Sequence, residues 1–489
     1  MIKPAIVVLC VAACHGDRVS SSEFMLDAGP PAPWTTLTIY GPESVVGLNG
    51  ADGVDVATIG GDLTVISPWE QSNKVTVSTR TGSSWSTQVL SATTGFLPED
   101  AKLCDLDGDG ALDVVTGGQG QRIRVWFGPA PFATTIELAA ATNVQQWFSF
   151  ACTPTGLWAG GRGTKVKTFT ANALDDTLTK TAHAFVTTDW VKLSCVAPAC
   201  TALPEPLVAN VFYFVIRTGP DTYKLASTKD NAFAGAAIDL TTNGTGTQTA
   251  IRFASVGFLR HSGSPRVSSN WTWSPVQAVS LLISAISKDV DQDGDLDLVI
   301  SDRFAHAGIK GASWLEKPAV GGLDTWIHRQ IYASANEGEV KFLGLVGSDT
   351  VLIPIGGAYN SPPIPNLLYK SVTADNWQTW TTTAITPYPS GTGFAQAVVT
   401  CDLTGDGIDE TVLTHAGAFG ELLGVVAIDG STGATIDIDR ATGEKYDDVL
   451  CLDLDGDGDN DVLTSEQNGN TAVTPDTGNG VVGFINPRL

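Results

Sequence analysis

Apolar runs long enough to cross a membrane are missing from these 489 residues: no stretch of about 18 or more occurs, which excludes a membrane-spanning helix. Basic residues are scarce too. Lys and Arg number 28 against 52 Asp and Glu, and the formal net charge of −24 excludes the basic surface a nucleic-acid binder needs. The same balance works against attraction to anionic lipids. No Cys-x-x-Cys pair occurs, so a structural zinc site lacks its usual ligands. His15, His183, His261, His306, His328 and His415 form no metal-ligand spacing, and His328 beside Arg329 reads as a surface residue. There is no Gly-x-Ser-x-Gly elbow and no phosphate-cradling glycine loop ahead of a helix. Capped helical periodicity is absent almost throughout. What is present is 43 % hydrophobic residues with 52 Gly and 25 Pro, too apolar for a disordered chain. The length exceeds a single core of about 250–300 residues, so several domains or a repeat is expected.

The acidity is local. Asp105–Asp113, Asp289–Asp297, Asp402–Glu410 and Asp453–Asp461 hold 18 acidic residues and no basic one, and outside them the charge balance is ordinary. Each stretch follows an apolar strand and precedes a second β-rich one. Weaker echoes run over Gly47–Val56 and Asp239–Thr247, and similar strand–turn–strand segments without the acids surround Cys152, Cys195 and Gly347. Anchors recur about every 43–58 residues, the length of one four-stranded propeller blade. After Asp289 the second, third and fourth strands are expected at Leu298–Ser301, Ala312–Leu315 and Trp326–Tyr332. The last unit has room for strands at Val462–Ser465 and Val481–Asn486 but not for a fourth. Trp34–Tyr40 is an orphan strand that would complete it, leaving few exposed edges. The expected fold is all-β, a β-propeller of about eight four-stranded blades within a range of seven to nine, closed by the N-terminal strand.

The pattern Asp-x-Asp-x-Asp-Gly-x-x-Asp offers side-chain oxygens at positions 1, 3, 5 and 9 and a backbone carbonyl at 7. Hard divalent cations take six to eight such oxygens, and calcium tolerates the irregular geometry of a short loop. Position 12, a Glu in an EF-hand, holds Thr116, Ile300, Leu413 and Thr464, and strands flank the loop, so an EF-hand is rejected. Four repeats in one register count against a merely solvated acidic turn. Acids two apart on one loop converge on a cation and do not flank a substrate bond, so catalysis by these loops is not expected. The loop after Asp239 has one formal charge and reads as a plain turn.

The whole resembles the FG-GAP/VCBS repeat family, integrin-α-like propellers with calcium loops in their blades. The resemblance covers roughly 34–489 and is weakest between 150 and 280. By position it implies ligands Asp105, Asp107, Asp109 and Asp113; Asp289, Asp291, Asp293 and Asp297; Asp402, Thr404, Asp406 and Glu410; and Asp453, Asp455, Asp457 and Asp461. Carbonyls would come from Ala111, Asp295, Ile408 and Asp459, for about four Ca2+ ions. Thr404 and Glu410 depart from the all-Asp pattern, so the third site should be weakest.

At the N-terminus, Lys3 precedes an apolar segment, and Val11-Ala12-Ala13-Cys14 resembles the bacterial lipoprotein processing box. This divides the chain into a signal at 1–13, an acylated Cys14 with a tether over 14–33, and the propeller at 34–489. An ordinary cleaved signal or an uncleaved stub are the alternatives. The expected location is the bacterial cell envelope, as an outer-membrane lipoprotein or a secreted protein, with membrane contact by lipid anchor only. Setting aside Cys10 and Cys14 leaves six cysteines, an even number that suits disulfides in an oxidising compartment. Cys104 and Cys152 end corresponding inner strands one repeat apart, as do Cys401 and Cys451, while Cys195 and Cys200 suit a small loop around Pro198. The expected pairs are Cys104–Cys152, Cys195–Cys200 and Cys401–Cys451, against buried free thiols.

Among the Trp residues, Trp126, Trp314 and Trp326 fall in outer-strand slots where packing explains them. Trp271 and Trp273 alternate on one strand face and are candidates for an exposed sugar-stacking pair. Two functions follow. The favoured one is a non-enzymatic calcium-stabilised binding or scaffold module for a protein or glycan ligand at the cell surface. The other is a calcium-dependent polysaccharide-active enzyme, since some propellers resembling this family are lyases. That activity needs a His, Lys or Arg base near the axial cleft, and no specific constellation of that kind is visible in the sequence.

Overall fold

The computed structural model describes residues 33–40, 51–59, 61–153, 155–303, 311–318, 326–333, 339–347, 349–356, 367–372, 379–385, 394–416, 424–439, 444–468 and 480–487. Cys14 and the signal and tether calls lie outside them. Strand pairing resolves the rest into antiparallel four-stranded units. Blade 1 holds Asp55–Ile59, Asp62–Trp69, Lys74–Thr81 and Ser84–Ser91, and blade 2 holds Pro98–Cys104, Asp113–Gly118, Ile123–Phe127 and Thr134–Glu137. Blade 3 is Gln146–Thr153, Gly156–Arg162, Gln248–His261 and Trp271–Val279. Blade 4 is Leu282–Lys288, Asp297–Asp302, Gly311–Glu316 and Ile327–Ala333, within a residue or two of the expected strands. Blade 6 comprises Phe394–Cys401, Glu410–Ala416, Val425–Ile428 and Thr435–Asp439. In blade 5 the first strand is split into Glu339–Val340 and Gly344–Val346, followed by Thr350–Gly356, Leu367–Val372 and Trp380–Ile385.

Blade 7 closes the ring. Glu444–Leu452, Asp461–Asn468 and Gly480–Ile485 are completed by Thr35–Tyr40, which pairs antiparallel from Thr35↔Ile485 to Tyr40↔Val481. First strands of successive blades touch, for example Pro98–Cys104 with Gln146–Thr153 and that strand with Leu282–Lys288, so they line the axis. Each junction between neighbouring blades has its own buried apolar cluster, from Ile66, Val77, Leu103 and Trp126 between blades 1 and 2 around to Tyr40, Trp69, Leu454 and Leu463 between blades 7 and 1. Second strands are buried on both faces, as in Asp113–Gly118, which explains their near-continuous apolar sequence. Gly117 is required there: a Cβ would stand 2.4 Å from the Phe150 ring of the next blade.

Among the described residues the units number seven, at the lower end of the expected range and one fewer than the central figure of eight. The anchors around Cys195 and Asp239 are not blades. They belong to an excursion between the second and third strands of blade 3, in which Thr164–Asn172, Thr177–Thr179, Trp190–Ser194, Phe212–Arg217 and Thr222–Ala226 form a sheet with its own core of Leu178, Val191, Tyr223 and Leu225. The 14-residue strand Gln248–His261 serves both: its first half pairs with Thr164–Phe169, its second with Gly156–Ala159 and Trp271–Val279. A strand–turn–strand sequence is the same local signal in a blade and in such an insertion, which is why the count ran high.

All three expected disulfides are present, with Cα separations of 5.8 Å for Cys104–Cys152, 5.0 Å for Cys195–Cys200 and 6.2 Å for Cys401–Cys451. The first and third tie inner strands of blades 2 to 3 and 6 to 7, and the second lies in the insertion. They mark an oxidising, extracellular or periplasmic compartment. The chain segments closed by Cys401–Cys451 and Cys195–Cys200 differ tenfold in length, 50 against 5 residues of separation. Replacing both Cys401 and Cys451 by Ser is therefore expected to cost about 4 kcal/mol in urea unfolding, and the Cys195/Cys200 pair about 2 kcal/mol. The reverse order would overturn the role assigned to the inter-blade bridge.

Candidate metal centres and the axial channel

Four Asp-rich loops join first to second strands in blades 2, 4, 6 and 7 and so share one face of the ring. Their conformation is set from within. Position 1 accepts backbone N–H bonds from positions 4 and 6: Gly108 and Gly110 donate to Asp105 at 2.8 and 3.1 Å, and Gly405 and Gly407 to Asp402 at 2.7 and 2.8 Å. Positions 4 and 6 take positive φ, 73° and 84° in the first loop, which favours Gly. Position 9 is wholly buried in every loop. Asp113 accepts from Leu106 N at 2.9 Å and from Gly128 N at 2.8 Å, tying the loop to the residue that follows the third strand. Asp297 repeats this with Val290 and Lys317, and Asp461 with Leu454 and Asn486.

Three loops bring carboxylates together. Asp105, Asp107 and Asp113, then Asp289, Asp291 and Asp297, then Asp453, Asp455 and Asp461 each offer oxygens within 4.8 Å of one another. Oxygens bound at about 2.4 Å to one ion stand no farther apart than about that distance, so positions 1, 3 and 9 fit calcium. Position 5 stands outside these triads. In the first loop Asp109 accepts from Arg266 Nη2 at 3.0 Å, and Arg266 also pairs with Asp107 and lies over Phe127. Lys317 pairs with Asp295 at the second loop at 2.9 Å, and Arg80 donates to the Asp455 carbonyl at the fourth. The third loop, with Thr404 and Glu410, forms no such triad. Glu410, one methylene longer, takes Leu403 and Thr404 N–H on Oε2 alone. Its Oε1, the Thr404 hydroxyl and Asp289 Oδ1 in the second loop are buried without a hydrogen-bond partner. A hard cation supplies what these atoms lack, so the donor set fits calcium.

A charged channel runs along the axis between the inner strands. Its half toward the Asp loops holds Asp55, Asp100, Lys102 and Asp448 from blades 1, 2 and 7. Asp55 accepts Leu103 N at 2.9 Å, Asp100 accepts Phe150 N at 2.8 Å, and Asp448 accepts Val54 N, so each clasps the inner strand of the next blade. Lys102 Nζ stands 3.8 Å from Asp55 and 3.7 Å from Asp100. Burial pushes Asp100 and Asp448 up to about 6 against the opposing pull of Lys102. Lys102→Met leaves three clustered carboxylates without their cation and is expected to cost on the order of 3 kcal/mol at pH 8. Because Asp100 and Asp448 are raised above their unfolded values, their cost is present above pH 6 and relieved as pH falls toward 4. The deficit of the variant against wild type should shrink between pH 8 and pH 5 in urea melts; a constant deficit would refute the electrostatic account.

The half toward the opposite face lies where first strands begin and second strands end, and gathers Glu70, Glu99, Arg162, Arg303, Lys341 and Lys445. The signal was there in part, since Glu99-Asp100-Ala101-Lys102 and Lys445-Tyr446-Asp447-Asp448 put charges into strands expected to line the axis. Trp271 and Trp273 are not an exposed pair: they are 4 % and 8 % exposed, and Trp273 packs edge-on against Trp147 of the same blade at 4.9 Å. Alternation along a strand placed both on one face, and that face turned out to meet blade 2. Trp126 and Trp314 are buried third-strand residues, while Trp326 precedes a fourth strand and packs on Trp158 of blade 3. His328 sits on an exposed outer strand, bonded to Ser313.

Among the described residues this is a β-propeller of seven blades with a sheet inserted in blade 3 and four acidic loops on one face. No protein-family model matches the sequence, and no curated protein does. Solved structures similar to it include Saccharomyces cerevisiae Sqt1, at 9 % identity over 93 % of this chain and 98 % of that one, with a TM-score of 0.45. YCF48 from Cyanidioschyzon merolae aligns at 9 % identity over 93 % and 99 %, TM-score 0.43, and YCF48 bound to D1 peptide at 8 % over 93 % and 95 %, TM-score 0.43.

Proposed function

We propose that the protein is a calcium-stabilised propeller of the FG-GAP/VCBS type that works as a non-enzymatic binding platform for a protein ligand at the bacterial cell envelope, held there by acyl chains on Cys14. The observation that carries the calcium reading is the convergence of positions 1, 3 and 9 in three loops of one face. The buried, partnerless oxygens of Asp289, Thr404 and Glu410 support it. Disulfide-tied blades suit a platform outside the reducing cytosol. Ligand selectivity would reside in the loops, which the rigid blades hold in place.

Calorimetric titration of chelated protein with calcium should find at least three ions; no binding heat would sink the metal reading. Cys14→Ser should abolish acyl labelling and release the protein from membranes, and a wild type that neither labels nor sediments would favour an ordinary signal peptide. Binding on a glycan array would redirect the ligand from protein to carbohydrate, and turnover of a uronic-acid polymer would overturn the non-enzymatic reading.

A further inference from the structure

The axial cavity on the face opposite the Asp loops has a volume of about 250 Å³ and an uneven distribution of charge. On the side of blades 1 and 2, the Gln119 amide nitrogen donates to both Glu70 Oε1 at 2.5 Å and Glu99 Oε1 at 2.6 Å. Two carboxyls held so close in a buried site do not both ionise readily. Burial first, and the Glu70 charge second, push Glu99 up to about 8, so it keeps a proton at neutral pH. Asp52, which also lines the cavity, is pushed well above the ordinary carboxylate range by burial and then by the Glu99 charge, so the negative charge of this wall is reduced.

The remaining wall carries four cations from blades 3, 4, 5 and 7. Two have carboxylate partners: Arg303 pairs with Glu339 at 2.5 Å and Lys445 with Asp447 at 2.6 Å. The other two do not. Arg162 Nε donates to the Gln146 amide oxygen at 3.0 Å and lies over the Phe148 ring, and Lys341 Nζ donates to the Gln396 amide oxygen. Among the described residues no carboxylate stands within ion-pairing distance of either. Lys341 is 6 % exposed. Burial, then the nearby Lys445, lower its pKa to about 7, so an anion placed beside it would relieve both effects.

We infer that this cavity binds a small organic carboxylate, its anionic group received by Arg162 and Lys341 and a hydroxyl or carbonyl oxygen by Glu99. Arg162 presents a planar fork suited to a carboxylate, and Phe148 holds that plane. Phe148 and Phe342, both half-buried, line the cavity from blades 3 and 5 and offer apolar contact to the body of the ligand. The volume is below the roughly 300–1,000 Å³ of drug-sized sites, which favours a small molecule over a polymer segment. The inference does not rest on calcium, whose candidate ligands lie on the other face.

The test uses the full chain in calcium-containing buffer, titrated by calorimetry with succinate, glucuronate and N-acetylglutamate, and with inorganic phosphate as control. At least one carboxylate should bind saturably with a Kd of about 1 mM or tighter. Affinity should fall at least about tenfold in Arg162→Gln and in Lys341→Met, survive in Lys341→Arg, and be unchanged in Arg217→Gln, an exposed position of the inserted sheet. Should Lys341→Met fail to fold, the more exposed Arg162→Gln decides. Absence of saturable binding by all three carboxylates would overturn the inference. So would binding that both variants leave intact, or phosphate binding as tightly as any carboxylate.

Discussion

Chelation with EDTA is expected to lower the melting temperature by on the order of 10 °C, and calcium to restore it more fully than magnesium. Each apo triad holds three carboxylates within 4.8 Å, flanked by further acids in the same nine residues. Their mutual repulsion is removed by a bound divalent ion. An ion that binds only the folded state at about 100 times its Kd stabilises by about 2.7 kcal/mol, so three independent triads contribute about 8 kcal/mol. In a chain of this size each kcal/mol moves the midpoint by about 2 °C or less. Magnesium demands near-octahedral geometry and yields its water reluctantly, which the loops' irregular donors do not suit. Asp105→Asn should remove about a third of the calcium-dependent shift, while Thr404→Ala, in the loop without a triad, should remove less. A melting curve indifferent to EDTA would exclude the metal assignment.

Removing residues 34–40 is expected to leave protein that aggregates or melts far below wild type. Thr35–Tyr40 supplies the fourth strand of blade 7, and Ile39 and Tyr40 are buried at its junction with blade 1 against Val54, Trp69 and Leu463. Their burial is worth about 1.5–3 kcal/mol each. Its loss also turns Gly480–Ile485 into an unpaired edge with five consecutive buried residues, Gly480 to Phe484, a template for pairing with other chains. Together these effects approach the 5–15 kcal/mol that holds a typical domain folded. Size-exclusion chromatography and thermal melts of the truncated chain give the answer. A monomer melting within a few degrees of wild type would show that the ring does not depend on this closure.

Much of the fold was legible because a repeat states its pattern several times. The first strand, the glycine-bearing loop and the apolar second strand recur in blades 2, 4, 6 and 7 with little change, and any one copy corrects the reading of another. The same register identified the inter-blade disulfides, since Cys104 and Cys401 end equivalent inner strands. Legibility failed between Cys152 and Asp289. There the third strand of blade 3 begins some 85 residues after the second strand ends, at Gln248 after Arg162, and nothing local distinguishes an inserted sheet from two further blades.

Sequence alone determined the all-β class, the closing strand, the position of four acidic loops and the cysteine pairs, because each depends on spacing along the chain or on a repeated register. The tertiary structure decided the number of blades, the burial of Trp271 and Trp273, and which acids converge in each loop. It alone assembled the axial cavity. Glu70, Glu99, Arg162, Lys341 and Lys445 come from blades 1, 2, 3, 5 and 7, separated by up to several hundred residues. Residues so dispersed share no spacing that a sequence can display; they meet because the inner strands of a closed ring all converge on one axis.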